Sequence, residues 1–227
     1  MYDYRQLRFS NIKSPKYKHL LLLLFWPIYG IIFTLIERVV NPGVPGEFTV
    51  IYCKWDDLIP FNELFLLPYL FWFVFIIGML FYTLFWDIKS FRKFMYFIMF
   101  TYLVTCVIYV LFPNGQNLRP PEFERDNIFT DFMKWFYTFD TNTNVCPSLH
   151  VIGSVAVLYA SWNSKHFSSV PWRVAYTAVT VLICMSTVFL RQHSLLDIPP
   201  ALLLCAIGAP LATWIDKKLH PEAPLKA

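Results

Sequence analysis

Five long stretches without a charged residue limit most strongly how this chain can fold. Each is about as long as the roughly 20 residues that a helix needs to cross the hydrocarbon core of a bilayer. Of the 227 residues, 57% are hydrophobic and 15% are charged, which is more apolar surface than a soluble domain of this length can bury. The sequence therefore predicts a membrane protein with spans at residues 20–36, 64–86, 94–112, 174–190 and 198–215.

A sixth stretch, residues 148–162, is shorter and more polar than the other five. It carries small residues such as Gly153 and Ala160, which allow close contact between helices in a membrane. We therefore expect an all-α, six-helix transmembrane bundle that takes up residues 1–227 as a single domain. The first stretch runs into Glu37 without a small-residue cleavage signal, so we expect it to be an uncleaved span.

Lys and Arg residues are divided unequally between the two sets of loops. Thirteen of the 19 lie in the N-terminal tail, within residues 87–93 and 161–173, and after residue 215, whereas the opposite loops carry six together with ten of the 15 acids. Basic loops prefer the cytoplasmic side, so both termini are predicted to be cytoplasmic, in a plasma or inner membrane, with residues 113–145 outside. The formal net charge of +4 forms no basic stripe, so we expect no nucleic-acid partner.

The outer loop of residues 113–145 is long for a connection, which is typical of a functional segment. Within it, residues 127–139 predict an amphipathic helix lying on the outer surface of the membrane. The apolar side chains at helical spacing are Ile128, Phe132, Trp135, Phe136 and Phe139.

The cysteines show no close pairing that would indicate a zinc site or a disulfide framework. They are Cys53, Cys106, Cys146, Cys184 and Cys205. Cys53 and Cys146 both fall in outer loops and could pair, but free thiols are the default expectation.

Six unusual polar residues collect on the outer side once this topology is drawn. They are Arg119 beyond the third span, Ser148 and His150 at the start of the fourth, and Arg191, His193 and Asp197 between the fifth and the sixth. Ionisable groups at one membrane depth are costly unless they are paired, and they usually serve function. Interface anchoring could explain any one of them, but the convergence of three loops favours a single site.

These residue types suit phosphate chemistry. Arg guanidinium groups and the N-terminus of a helix that begins at Ser148 can donate hydrogen bonds to phosphate oxygens. His193 and Asp197 are four residues apart, which on a helix places them on one face, so that the carboxylate can orient the imidazole and leave its other nitrogen as a nucleophile or base. His150, from another helix, could protonate a leaving oxygen.

Three ordered motifs resemble those of the type 2 phosphatidic acid phosphatase superfamily. They are NLRP at residues 117–120, PSLH at residues 147–150 and STVFLRQHSLLD at residues 186–197. The resemblance implies a six-helix membrane fold whose site faces away from the cytoplasm and which hydrolyses lipid phosphate monoesters or pyrophosphates. It further implies that His193 is a phosphohistidine-forming nucleophile oriented by Asp197. His150 would then be the general acid, and Arg119 and Ser148 would bind phosphate.

The motifs depart from the family pattern at three positions. Phe112 stands where the family usually has Lys, Leu149 where a small Gly is common, and Thr187 where Arg is frequent. A basic residue appears instead at Arg191, in an Arg-Gln-His arrangement similar to the inositol phosphorylceramide synthase branch. A phospholipid headgroup phosphotransferase therefore stays open as the alternative, with Arg191 as the second basic phosphate ligand.

Other chemistries fit the residues less well. A serine hydrolase would need a Gly-x-Ser-x-Gly elbow around Ser148 or Ser154, and a cysteine phosphatase using Cys146 would need a nearby downstream Arg. Too few ligands converge for a metal site, so we expect a metal-independent enzyme without a cofactor. An anion or lipid transporter is the alternative of a different class. The lipid and the oligomeric state are left open by the sequence.

Overall fold

The computed structural model describes residues 1–40 and 48–221, and these ranges are mostly helical with almost no strand, as the sequence predicts. They contain the helices α1 (Phe25–Leu35), α2 (Leu66–Trp86), α3 (Ile88–Leu111), α4 (Ile128–Phe139), α5 (Leu149–Asn163), α6 (Val170–Phe189) and α7 (Ile198–Leu219). Two short strands, β1 (Thr49–Val50) and β2 (Asn114–Gly115), pair in parallel with Thr49 opposite Asn114.

In the part of the chain that the structure describes, five helical segments are long and apolar enough to cross a membrane. They are Lys18–Val39, Glu63–Trp86, Ile88–Leu111, Val170–Phe189 and Leu195–Leu219. Each segment contains one predicted stretch, except that the third and the fourth end one residue before the predicted end. The first segment contains a 3-10 helix, Lys18–Leu24, that leads into α1 and a π-helical turn, Ile36–Val40, that follows it.

Helix α3 begins earlier than the sequence predicts. The charges within residues 87–93 predict a loop, but Asp87 alone separates α2 from α3 and caps α3 by accepting a hydrogen bond from the Ser90 backbone N–H at 3.1 Å. The helix accommodates its charged residues because they have partners, and Arg92 donates to Asp216 on α7 at 2.6 Å. The expected loop is therefore a one-residue connection.

Helix α5 lies at the centre of the bundle, in contact with α2, α3, α6 and α7. Its small residues make these contacts close: a Cβ atom on Gly153 would lie 2.7 Å from Ile76 and 2.8 Å from the Tyr102 hydroxyl oxygen. With 15 residues the helix is about 22 Å long, which is shorter than the hydrocarbon core of a bilayer. The small residues therefore serve helix packing, as the sequence predicts.

The loops meet at two ends of the bundle. The basic end comprises residues 1–17, Asp87, residues 164–169 and the C-terminal end of α7, and there the Tyr4 hydroxyl donates to the Leu84 carbonyl at 2.8 Å. The site end comprises residues 48–65, 112–148 and 190–197, and there the Asn62 backbone N–H donates to the Phe189 carbonyl at 3.0 Å. Five of the six predicted site residues lie in these loops, and His150 lies beside them in the first turn of α5.

The predicted amphipathic helix is present as α4, with Asn127 as its N-cap. The packed side chains are Phe129, Phe132, Met133, Phe136 and Tyr137. The stripe that meets Leu66, Tyr69 and Leu190 is centred on the fully buried Met133, whereas Ile128 and Trp135 are exposed on the protein surface. The side chain of Phe139 lies outside the described residues.

Candidate active site

His193 and Asp197 form a buried pair on the connection between α6 and α7. The His193 Nδ1 atom lies 2.9 Å from Asp197 Oδ2, and the Asp197 side chain is completely buried. The spacing of four residues predicts that the pair lies on one α-helix, and this is wrong. His193 instead precedes a 3-10 turn, Leu195–Asp197, that Ser194 caps. The Ser194 backbone N–H donates to the same Asp197 oxygen at 3.0 Å, which fixes the carboxylate against the imidazole.

Asp56 binds the Leu195–Asp197 turn through hydrogen bonds, and this residue was not identified from the sequence. The Asp56 side chain is buried, accepts a hydrogen bond from the Ser194 hydroxyl at 2.7 Å and another from the Leu195 backbone N–H at 2.9 Å. It also accepts one from the Cys53 backbone N–H at 2.8 Å. The sequence carries no signal that separates Asp56 from its exposed neighbour Asp57.

The contacts of His193 determine which nitrogen is available for chemistry. A carboxylate only accepts hydrogen bonds, so Nδ1 carries the proton that faces Asp197 and Nε2 carries the lone pair. Nε2 faces the Ser148 hydroxyl oxygen at 3.4 Å. Ser148 is the N-cap of α5, and its hydroxyl accepts a hydrogen bond from the Val151 backbone N–H at 3.5 Å. The two long contacts leave the Ser148 hydroxyl able to turn toward a ligand.

His150, in the first turn of α5, faces His193 across the site. Its ring lies between those of Tyr69 and Trp72, with centroids 4.4 Å from each, and meets the His193 ring edge-on at 5.6 Å. The aromatic rings fix the plane of the imidazole without using its nitrogens. No described residue forms a hydrogen bond with His150 Nε2.

The two histidines line a small cavity of about 70 Å³. The other residues along its walls are Phe33, Glu37, Tyr69, Asp140, Thr141, Thr143, Asn144, Val145, Leu149 and Gln192. Glu37, from the end of the first membrane-length segment, accepts hydrogen bonds from the Thr141 hydroxyl and the Asn144 side-chain amide, both at 2.7 Å. The cavity has room for a small polar group, such as two or so water molecules at roughly 30 Å³ each.

Arg119 adjoins this cavity but is bound to protein oxygens. Its Nη1 donates to the Asp140 carbonyl at 2.8 Å, and its Nη2 contacts the Asp140 carboxylate at 3.0 Å and the Gln192 side-chain oxygen at 2.8 Å. The guanidinium also lies over the Tyr137 ring at 4.4 Å. Burial raises the pKa of Asp140 to about 6 although Arg119 opposes the shift, and Glu37 raises it further.

Arg191 is directed away from the histidines. Its guanidinium donates to the Ile59 carbonyl, and its backbone has a positive φ of 55°. Its side chain lines a second, larger cavity of about 630 Å³. The charged residues around that cavity are Asp57, Glu63, Arg119, Glu122, Glu124, Arg125 and Arg191. Of the six predicted site residues, His150 and His193 line the small cavity, and Ser148 and Asp197 contact His193. Arg119 and Arg191 line the larger cavity, and Arg119 is linked to the small one through Gln192.

The cysteines and the possible metal site are the remaining candidates from the sequence. All five cysteines, which lie in the described part of the chain, are free thiols, so the Cys53–Cys146 disulfide is not formed. Burial and the neighbouring Asp197 carboxylate raise the pKa of Cys146 to about 12, which keeps it a protonated thiol and a poor nucleophile. Among residues 1–40 and 48–221, no three His, Cys, Asp or Glu side chains cluster as a metal site would require.

No family model, no curated protein and no solved structure matches this chain. The resemblance of its three motifs to the type 2 phosphatidic acid phosphatase superfamily stays a prediction. The geometry of the site places an oriented imidazole with a free lone pair and a second imidazole on one small polar cavity. The Ser148 hydroxyl contacts the first imidazole, and the Arg119 guanidinium contacts Gln192 on the cavity wall.

Proposed function

We propose that this chain is an integral-membrane lipid phosphatase that acts through a phosphohistidine on His193. The observation that carries the proposal is the His193–Asp197 pair at 2.9 Å, which leaves Nε2 with its lone pair beside a cavity that a second histidine also lines. An imidazole oriented in this way is a suitable nucleophile for phosphorus, and a carboxylate at Nδ1 stabilises the cationic phosphohistidine that forms.

Two steps complete the reaction. In the first, the His193 Nε2 lone pair attacks phosphorus, the bond from phosphorus to the lipid oxygen breaks, and His150 gives its proton to that oxygen. In the second, His150 removes a proton from water, the water oxygen attacks phosphorus, and the phosphorus–nitrogen bond breaks to release phosphate and regenerate His193. Both steps use side chains of this chain alone, so we propose that turnover needs no metal ion.

The remaining predicted residues serve phosphate binding in this proposal. Ser148 is close enough to Nε2 for its hydroxyl to donate to a phosphate oxygen once the ligand displaces the long contact at 3.4 Å. Arg119 and Arg191 supply positive charge on two sides of the site, Arg119 beside the small cavity and Arg191 in the larger one. The larger cavity has room for the part of the substrate beyond its phosphate.

Membrane-length helices and an apolar groove support a lipid substrate. A groove of about 370 Å³ runs between α5, α6 and α7, from Thr177 and Leu202 up to Ile59 and Leu195 at the site end. An acyl or isoprenoid chain in this groove would have its polar end near the 190–197 connection, since Arg191 binds the Ile59 carbonyl at its upper edge. We propose that α5 crosses the membrane as the sixth, enclosed span, with lipid contacting mainly the helices around it.

We propose that the basic end is cytoplasmic and that the site end faces away from the cytoplasm, because basic loops are retained inside. A cysteine at exposed Glu124 should react with a membrane-impermeant maleimide on intact cells, in a background in which the native cysteines are replaced by Ser. A cysteine at exposed Lys16 should react only after permeabilisation. The reverse pattern would place the site on the cytoplasmic side.

A headgroup phosphotransferase is the second candidate, and the carboxylates of the small cavity favour it. Glu37 and Asp140 both line the space where the phosphate would sit. A phosphate monoester carries about −1.5 to −2 charges at pH 7, whereas a phosphodiester carries one. Two carboxylates therefore repel a phosphodiester less than a phosphate monoester. In a transfer reaction, an acceptor alcohol in the larger cavity would replace water in the second step.

The test is to incubate the purified protein in detergent with a panel of lipid phosphates, pyrophosphates and diesters. Released phosphate and new phospholipids are measured by colorimetry and mass spectrometry, with His193→Ala as the control. Phosphate release that His193→Ala abolishes supports the phosphatase, and transfer into an added alcohol supports the phosphotransferase. Neither product, together with anion or lipid flux in liposomes, would contradict both and favour a transporter.

A further inference from the structure

Gln192 lies between Arg191 and His193, and its side chain has an unusual environment. It is only 3% exposed and lines the small cavity together with His150 and His193. Its Oε1 atom accepts a hydrogen bond from Arg119 Nη2 at 2.8 Å. Nε2 of the same amide has no hydrogen-bond partner among residues 1–40 and 48–221.

Arg119 fixes which way this amide points. A guanidinium only donates hydrogen bonds, so the oxygen of the Gln192 carboxamide must face Arg119 and the NH₂ group must face away from it. A buried donor without an acceptor is destabilising, because it has lost its hydrogen bonds to water. A site that carries such a donor on the wall of a cavity is prepared for an acceptor that arrives with a ligand.

Arg119 is linked to the small cavity by its hydrogen bond to the Gln192 side chain. Both Nη atoms donate to protein oxygens: Nη1 to the Asp140 carbonyl, and Nη2 to the Asp140 carboxylate, the Thr141 carbonyl and Gln192. The residues that line the small cavity in the described chain include Gln192 but not Arg119. The guanidinium is therefore one residue removed from the space next to His193 Nε2.

We propose that Gln192 Nε2 donates a hydrogen bond to a non-bridging oxygen of the phosphoryl group under attack by His193, and that Arg119 is a positioning residue that acts through Gln192. The assignment rests on the proposed phosphatase function and deepens it by naming the donor. It also replaces the sequence expectation that Arg119 contacts phosphate directly. The ligand chemistry is a tetrahedral or trigonal-bipyramidal oxyanion, which needs donors that do not move as charge develops.

Orthovanadate, which mimics the transferring phosphoryl group, provides the test on the full-length protein in detergent. Its inhibition constant against turnover and its dissociation constant by calorimetry are measured for wild type, Gln192→Ala and Gln192→Glu. A hydrogen bond to a charged acceptor contributes about 1.5–3 kcal/mol, so both constants should rise about 10- to 100-fold in Gln192→Ala. Gln192→Glu keeps the shape and the contact with Arg119 but loses the donor, so it should weaken vanadate binding at least as much.

Gln116→Ala is the matched control. Gln116 is also fully buried with an Nε2 atom that no described residue accepts from, but it does not line the small cavity. Its replacement should leave vanadate binding within about twofold of wild type. If Gln116→Ala weakened binding as much as Gln192→Ala, the effect would come from a lost buried amide, and the assignment would fail.

A double-mutant cycle separates the two roles of Arg119. If Arg119 acts through Gln192, then Arg119→Lys should weaken vanadate binding in the wild-type background and add little in Gln192→Ala. Fully additive effects would mean that Arg119 contacts the oxyanion itself. If the wild-type protein is active and vanadate binding is unchanged in both Gln192 variants, the assignment of Gln192 fails but the proposed function stands. A wild-type protein that neither turns over lipid phosphates nor binds vanadate would overturn the proposed function as well.

Discussion

Two buried aspartates, one at each end of the bundle, show how the same residue type serves different purposes. At the basic end, Asp216 is 2% exposed and accepts from Arg92 at 2.6 Å. At the site end, Asp197 is fully buried and pairs with His193 at 2.9 Å. The guanidinium cannot be deprotonated, so the first pair only holds α3 to α7. The imidazole has a second nitrogen that faces a cavity, so the second pair can support chemistry.

The histidines repeat this contrast. His19 at the basic end is buried, and its Nε2 is bonded to the Tyr4 hydroxyl at 2.8 Å. His150 at the site end has an Nε2 atom without a partner in the described residues, although the rings of Tyr69 and Trp72 hold it in place. Buried polar atoms are normally satisfied, so the two unsatisfied nitrogens beside the small cavity, His150 Nε2 and Gln192 Nε2, support the proposal that a ligand binds there.

Replacement of histidines should separate the two ends most strongly. His193→Ala deletes the atom that bonds phosphorus, so turnover should fall to background for every substrate while the helical content stays unchanged. His19→Ala loses one hydrogen bond and should lower the free energy of unfolding by about 1 kcal/mol without changing turnover per folded molecule. Activity assays and circular dichroism on both variants make the comparison, and retained turnover in His193→Ala would break it.

The two aspartates should fail differently when they are made neutral. Asp197→Asn cannot hold the Nδ1–H tautomer, so turnover should fall about 10²- to 10⁴-fold with a small change in stability. Asp216→Asn leaves Arg92 without its counter-charge, so the free energy of unfolding should fall by about 2 kcal/mol with turnover unchanged. Steady-state kinetics and denaturant titration measure both. The contrast would be lost if Asp216→Asn reduced turnover as much as Asp197→Asn does.

Asp56 should have an intermediate effect, because it supports the 190–197 connection without lining the small cavity. In Asp56→Asn the amide can still accept from one of its donors, so we expect a decrease in turnover of about tenfold, corresponding to about 1.4 kcal/mol. The neighbouring Asp57→Asn is the matched control, since Asp57 is exposed. Equal kinetics for the two variants would show that the contacts of Asp56 do not position His193.

The smallest expected effect is a pH dependence at Asp140. Burial raises its pKa from 3.8 to about 6, with Glu37 adding to the shift and Arg119 and His193 opposing it. Between pH 4 and 6 the native state therefore binds more protons than the unfolded state, so this group's contribution to stability is lost as the pH rises through that window. Asp140→Asn should flatten the dependence in denaturant titrations at pH 4 to 6.5, and an unchanged slope would contradict the assignment.

The membrane-length helices could be predicted because the absence of charge over about 20 residues is a local property of the sequence. The start of α3 could not, since the partner of Arg92 is Asp216, 124 positions away. The contacts of α4 within the protein could not be predicted either, because only tertiary packing brings Met133 against Leu66 and Tyr69.

The candidate site shows the same division. The sequence pointed to His150, His193 and Asp197; the two histidines line one cavity, and Asp197 is bonded to His193 behind it. Asp56 and Gln192 have hydrogen-bond partners that lie far away in sequence, so no local pattern could reveal their contacts. Arg191 was expected beside His193 on proximity in sequence, but its positive φ turns the side chain to the other cavity.

The most direct test of the central claim is detection of the phosphoenzyme in His150→Ala. With p-nitrophenyl phosphate, whose leaving group needs little protonation, this variant should still phosphorylate His193 but should hydrolyse the intermediate slowly, because no imidazole activates the water. A burst of about one p-nitrophenol per site and an acid-labile phosphate on His193, measured by intact mass and peptide mapping, are the predicted results. The absence of any phosphoenzyme in an active wild-type background, or a label on His150 in His193→Ala, would contradict the claim.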